Sequence, residues 1–190
     1  MTVRVMFVSP AMTADLRQAR FGGRSPLDES GTRAATAAAD AVPRADLVVR
    51  GSSSRCRQTA DALGLRAEPV EQLADWHVGS WTGRTLDEVG EADPEGLALW
   101  LRDPSAAPHG GESLRQLSAR VERWLAALPA GRVLAVVEPA VVRAATVVAL
   151  GLASEAFWRL DVGPLTLTEL SGRAGRWNLR CGRPLGGSRE

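Results

Sequence analysis

Short apolar runs alternate along the chain with longer amphipathic stretches. VRVMFV (Val3 to Val8), ADLVVR (Ala45 to Arg50) and GRVLAVV (Gly131 to Val137) have strand length and few polar positions, the pattern of strands buried on both faces. FVSPAMTADLRQARFGG carries the first strand into a loop and a helix start. SPLDESGTRAATAAADAV predicts a turn and an alanine-rich helix with Gly31 and Thr32 near its start, and SSRCRQTADALGL a helix opened by serine caps and closed by Gly64. DWHVGSWTGRTLDEVGE reads as a loop leading to a short helix, and DPEGLALWLRDP as a helix fenced by Pro94 and Pro104. Leu114, Leu117, Val121, Trp124 and Leu125 mark the apolar stripe of a long helix. PAVVRAATVVALGL predicts an apolar helix after the third strand, and FWRLDV, LTLTEL and GRWNLRC predict closing strands. Strands alternating with helices imply an α/β fold, a three-layer α/β/α sandwich around a mostly parallel central sheet. One domain is expected over residues 1–182, followed by a flexible tail, RPLGGSRE, at 183–190.

Composition narrows the chemistry. All 23 basic residues are arginine, against 22 acidic ones, for a net charge of +1. A balance so near zero argues against a nucleic-acid or membrane-surface partner. The absence of lysine excludes Schiff-base chemistry and a phosphate loop ending in Gly-Lys. Only His77 and His109 offer an imidazole. Cys56 and Cys181 are expected to be reduced thiols. No leader pattern precedes the first strand and no apolar run reaches the ~20 residues of a membrane span. A cytoplasmic protein with no cofactor and no metal is therefore expected.

In a parallel α/β sheet the ligand crevice lies beyond the carboxyl ends of the strands. That rule selects the loops after Val8, Arg50 and Val137, which carry Ser9-Pro10-Ala11-Met12-Thr13, Ser52-Ser53-Ser54-Arg55 and Glu138-Pro139-Ala140.

Five motifs follow one another along the chain: PLDESG at Pro26 to Gly31, RCRQTA at Arg55 to Ala60, LADWHVGSWTG at Leu73 to Gly83, GGES at Gly110 to Ser113 and PAVVRAA at Pro139 to Ala145. Their order and spacing resemble the histidine phosphatase superfamily, with its phosphoglycerate mutase-like fold, over nearly the whole chain. In that family the first strand ends in Arg-His-Gly: the arginine clamps phosphate and the histidine accepts the phosphoryl group. The resemblance puts Ser9 and Pro10 at those two positions and Glu138 at the family's second histidine. It keeps Arg55, and Asp75 takes the position of the family's acid. It also implies pairing through sheet edges into a homodimer.

These departures change what the pocket can do. Proline has no nucleophilic atom and removes a backbone N–H. Arg55 facing Asp75 and Glu138 leaves one positive group against two negative ones. Like charges at ~4 Å repel by roughly 4 kcal/mol at an effective dielectric of 20, which opposes a phosphate ester.

Asp75 and Glu138, with His109, are the candidate catalytic residues, since two carboxylates in one cleft can divide into a donor and an acceptor. Glu138 could instead satisfy Arg55 or favour the helix start it precedes. The expected ligand-binding set is Ser9, Thr13, Arg20, Arg55, His77 and Glu112, with Arg17 and Arg20 able to lean over the first loop. A metal site from Asp75, His77 and Glu138 has no supporting motif. His77 and His109 serve equally well as loop-packing residues, and Ser52, Ser53 and Ser54 as caps. The residues thus leave two readings open: a pseudoenzyme that binds a small molecule other than a phosphate ester, or a repurposed acid–base enzyme (isomerase, dehydratase or cyclase, or hydrolase). Surviving phosphatase action is the least supported.

Overall fold

A computed structural model describes residues 2–173 and 175–184. Six strands form one sheet: β1 (Val3–Val8), β2 (Leu47–Arg50), β3 (Glu68–Pro69), β4 (Gly131–Val136), β5 (Thr166–Arg173) and β6 (Arg176–Pro184). Their order is β3-β2-β4-β1-β5-β6. β1 to β4 pair in parallel, whereas β5 runs antiparallel to both β1 and β6. The helices are α1 (Ala14–Arg17), α2 (Glu29–Ala37), α3 (Ser54–Ala62), α4 (Leu86–Ala92), α5 (Pro94–Arg102), α6 (Leu114–Ala126) and α7 (Pro139–Leu150).

The apolar strands divide their side chains between two cores, as a period of two requires. Val5 and Phe7 of β1, with Val133 and Ala135 of β4, join Leu117, Val121 and Trp124 of α6 and Val141 and Ala145 of α7. Met6, Val8, Leu134 and Val136 point the other way and join Cys56 and Ala60 of α3. Each such buried Val, Leu, Phe or Met side chain contributes about 1.5–3 kcal/mol, so a one-residue register slip would exchange the two faces at large cost.

Helix ends follow local chemistry. The Ser53 hydroxyl accepts the Cys56 N–H at the start of α3, and Ser113 and Gln116 cap α6 reciprocally. Pro139 opens α7, and Gly151 closes it in the left-handed region at φ 61°.

Two expectations need correction, and one strand was not expected. FWRLDV is not a strand: Ser154–Arg159 is a 3-10 turn that buries Phe157, because aromatic density there serves packing rather than sheet alternation. β3 is only two residues long, too short to leave a pattern. β6 continues to Pro184, so Arg183 and Pro184 belong to the sheet, while the rest of the expected tail, 185–190, lies outside the described residues. Among the described residues no helix is long and apolar enough to cross a membrane.

Candidate functional site

The parallel register brings three loops to one edge. Val8 at the end of β1 lies opposite Val136 of β4, which lies opposite Arg50 of β2. The chain therefore delivers Ser9, Ser53 and Glu138 to the same end of the sheet, and the first turn of α3 delivers Arg55.

Glu138 occupies the residue before α7 but does not cap it. Its carboxylate turns to Arg55 instead. Arg55 Nε donates to Oε1 at 2.7 Å, Nη2 lies 2.5 Å from Oε2, and the Ser53 hydroxyl donates to Oε1 at 2.6 Å. The Nη2–Oε2 contact is an ion pair out of line for a hydrogen bond. The Glu138 side chain is 0% exposed and that of Arg55 is 11% exposed. Asp75 completes the group: Oδ2 is 3.6 Å from Arg55 Nη2, Oδ1 accepts the Trp76 N–H at 2.7 Å, and 26% of the side chain stays exposed.

Electrostatics follow from this packing. Burial, and then Glu138, push the Asp75 carboxyl up to about 7, against the opposing pull of Arg55, the Trp76 N–H and Arg120. Burial opposes the Arg55 charge, but Glu138 and then Asp75 outweigh it and raise the guanidinium above its usual value. Burial and Glu138 drive the Cys56 thiol well above its usual value, so it stays protonated and inert.

Beside this group opens a cavity of about 220 Å³ bordered by Arg55, Asp75 and a cluster of aromatic rings. Trp100 and Trp158 lie 4.5 Å apart between centroids, Trp76 and Trp100 5.0 Å, and Trp76 and Phe157 5.3 Å. Arg143 also lines it, one helical turn beyond Pro139 on the same face of α7. Its guanidinium carbon is 5.9 Å from the Phe157 ring centre. Its Nε is buried without a hydrogen-bond partner among the described residues, as is Trp100 Nε1. Burial lowers the Arg143 pKa and Asp161 opposes the shift.

A buttress holds this wall in place. Arg120 clasps Glu112 through Nε and Nη2 at 2.6 and 2.9 Å and donates to the carbonyls of Gln72 and Asp75. Trp76 Nε1 donates to the Glu112 carbonyl at 2.6 Å. The Ser80 N–H meets the His109 carbonyl, and the Glu112 N–H that of His77, at 2.9 and 2.7 Å. Gly79 and Gly111 allow this approach, since a Cβ at either would sit 2.0 Å from the carbonyl oxygen of His109 or His77.

The structure thus brings together Arg55, Asp75 and Glu138, with Arg20 at the cavity's edge. Arg20 is already engaged there by the Gly83 carbonyl at 2.8 Å and Glu88 at 3.3 Å. Arg17 pairs with Asp28 instead of reaching the cleft. His77 is exposed and lines the shallower hollows outside Asp75. Glu112 supports the wall through Arg120.

Three expected site residues go elsewhere. Ser9 is 1% exposed and donates to the Gly163 carbonyl at 2.5 Å, while it accepts the Thr166 N–H at 3.0 Å. Thr13 is buried and caps α1 by accepting the Leu16 N–H. His109 is 2% exposed, edge-on to Trp81 at 5.0 Å, with Nδ1 accepting the Gly111 N–H at 3.0 Å. Burial, and then His77, lower its pKa, so the ring stays neutral. Among the described residues, no three His, Cys, Asp or Glu side chains are grouped to hold a metal ion.

Arg143 was not among the expected residues, although it changes the charge balance: two arginines now face two carboxylates. Its spacing of four from Pro139, directly after the crevice loop, was the available signal.

The sequence profile described as histidine phosphatase superfamily (branch 1) matches residues 11–182. A glucosyl-3-phosphoglycerate phosphatase of Mycolicibacterium vanbaalenii is 39% identical over 93 residues, 46% of this chain and 41% of that protein. An adenosylcobalamin/alpha-ribazole phosphatase of Escherichia coli is 30% identical over 129 residues, 62% of this chain and 64% of that one. The match to a bifunctional protein of Mycobacterium tuberculosis, 33% identical over 63% of this chain, spans 35% of that protein's length. Less than two thirds of each of these relatives is therefore covered. Among solved structures, a mycobacterial glucosyl-3-phosphoglycerate phosphatase with VO3 superposes at a TM-score of 0.82 with 28% identity, covering 95% of this chain and 98% of the other. The alpha-ribazole phosphatase of Shigella flexneri, at 22% identity and a TM-score of 0.82 over 98% and 100% of the two chains, shares the fold. With a profile that spans nearly all of it and a sheet that matches, this chain belongs to the histidine phosphatase superfamily.

Proposed function

We propose that this protein binds a small organic molecule in the tryptophan-walled cleft and does not carry a phosphoryl group on histidine, Pro10 and Glu138 standing at the family's two catalytic histidine positions. The names of its relatives suggest a phosphomonoester, but the pocket chemistry disfavours one. The observation that carries this reading is the Arg55–Glu138 pair. A guanidinium whose Nε–Nη2 edge faces a fully buried carboxylate at 2.7 and 2.5 Å has that edge committed, and a phosphate dianion reaching Arg55 would have to displace that carboxylate or sit beside it. Pro10, itself buried, offers no lone pair to accept phosphorus.

The test is incubation with p-nitrophenyl phosphate and with glucosyl-3-phosphoglycerate. Release of phosphate no faster than in buffer is expected. Steady turnover that vanishes in Arg55→Ala would sink the proposal.

A second reading rests on Asp75. A carboxyl poised at about 7 on the border of a cleft has the pKa of a general acid–base catalyst. It requires turnover of some organic substrate whose pH profile breaks near 7 and which Asp75→Asn abolishes. A profile without that break would refute it.

A further inference from the structure

We propose that the cavity lined by Arg143 is a binding site for a flat, ring-bearing carboxylate, an aromatic or heteroaromatic acid of one or two fused rings. The inference rests on reading the cleft as a ligand site, and it names what fills it.

Four features converge on that chemistry. The first is charge. Arg55 turns its Nε–Nη2 edge to Glu138, whereas no carboxylate of the described residues lies within ion-pair distance of Arg143 and its Nε has no partner. A half-buried guanidinium remains charged and favours a planar, two-oxygen anion that its fork can grip.

The second is shape. Trp76, Trp100, Trp158 and Phe157 border the cavity and pack against one another at centroid separations of 4.5 to 5.9 Å, Trp158 being the half-buried one. Such walls accept a ring through stacked and edge-on contacts and give little to an aliphatic polyol. Trp100 adds an indole N–H without a partner, a donor for a ring heteroatom or substituent.

The third is size. The cavity, about 220 Å³, is smaller than the usual ligand pocket of about 300–1,000 Å³ and suits one or two rings bearing a carboxylate better than a nucleotide.

The fourth is selectivity among anions. Asp75 shares the cavity wall with Arg143 and Arg55. A monoanion opposite Arg143 tolerates one neighbouring carboxylate, whereas above about pH 7, where Asp75 is ionised, a phosphate dianion would meet it with twice the charge.

The proposal is tested by isothermal titration calorimetry with benzoate, 1-naphthoate and indole-3-acetate, each beside its neutral amide. The intact protein is expected to bind at least one of the acids roughly tenfold or more tightly than the matching amide. Arg143→Gln should erase that preference, acid binding falling to the level of the amide, with circular dichroism confirming the fold. Acid and amide binding alike, no binding of any acid at millimolar concentration, or a preference that survives Arg143→Gln would each overturn it. The comparison of acid with amide needs no variant, so a misfolded Arg143→Gln does not decide the matter. Phenyl phosphate in the same series separates the two proposals. Its hydrolysis would refute the loss of phosphoryl transfer, while the acid–amide comparison alone judges the carboxylate site.

Discussion

Replacing Asp75 by asparagine tests the electrostatic account of the cleft most directly. The side chain keeps its shape, and its Oδ1 still accepts the Trp76 N–H, but the charge that burial and Glu138 penalise is gone. In the folded protein Asp75 holds its proton up to about 7, whereas its ordinary value is 3.8. Between those two pH values the folded state binds more protons than the unfolded chain, so stability falls as pH rises. The contribution is fully present below about pH 4 and lost once pH passes 7. At about 1.4 kcal/mol per pH unit the whole interval amounts to about 4 kcal/mol. Water reaching the 26% of the side chain that stays exposed weakens the penalty, and about 2 kcal/mol is the expected difference. Urea unfolding of the parent and Asp75→Asn, run at pH 4.5 and pH 8, measures it. The variant should gain about 2 kcal/mol over the parent on going from the lower to the higher pH. Parallel pH dependences would show that Asp75 ionises freely in the folded state, and both the raised carboxyl and the acid–base reading would fall with that result.

Arg55→Met should destabilise the fold by about 3–5 kcal/mol in the same denaturation assay, because it strands the Glu138 carboxylate without its cation. Adding Glu138→Leu should return much of that loss, and a double variant no more stable than the single one would contradict the pairing. Gly79→Ala should cost about 2 kcal/mol or more and raise susceptibility to proteolysis between residues 77 and 112, since a Cβ would press on the His109 carbonyl from a left-handed backbone at φ 46°. An unchanged melting temperature would contradict that packing.

How far the sequence reveals this molecule depends on whether its signal is local. β1, β2, β4 and the stripe of α6 are legible because burial dictates period and composition there. The FWRLDV segment misleads because aromatic residues suit a strand and a packed turn equally well. The grouping of Arg55, Asp75 and Glu138 is visible through the order of the motifs, and the loop ends of a parallel sheet explain it. Side-chain direction is not visible. Ser9, Thr13 and His109 lie on the loops around the cleft, yet each turns into the protein, Ser9 towards Gly163 and Thr166, Thr13 onto its own helix start and His109 onto Trp81. Arg143 shows the opposite error. It stands in the quoted PAVVRAA motif, but an arginine inside an apolar helix reads as solvent-facing until the tryptophans from three other segments are seen around it.

The anchoring of Ser9 has a consequence for what can stand at that position. Its hydroxyl stitches the end of β1 to the approach of β5 from a place that is 1% exposed. An arginine there would have to bring a guanidinium into that seam and undo it. Position 9 is thus committed to holding the end of the sheet together, and a cation placed there to grip a ligand would cost the fold its fastening.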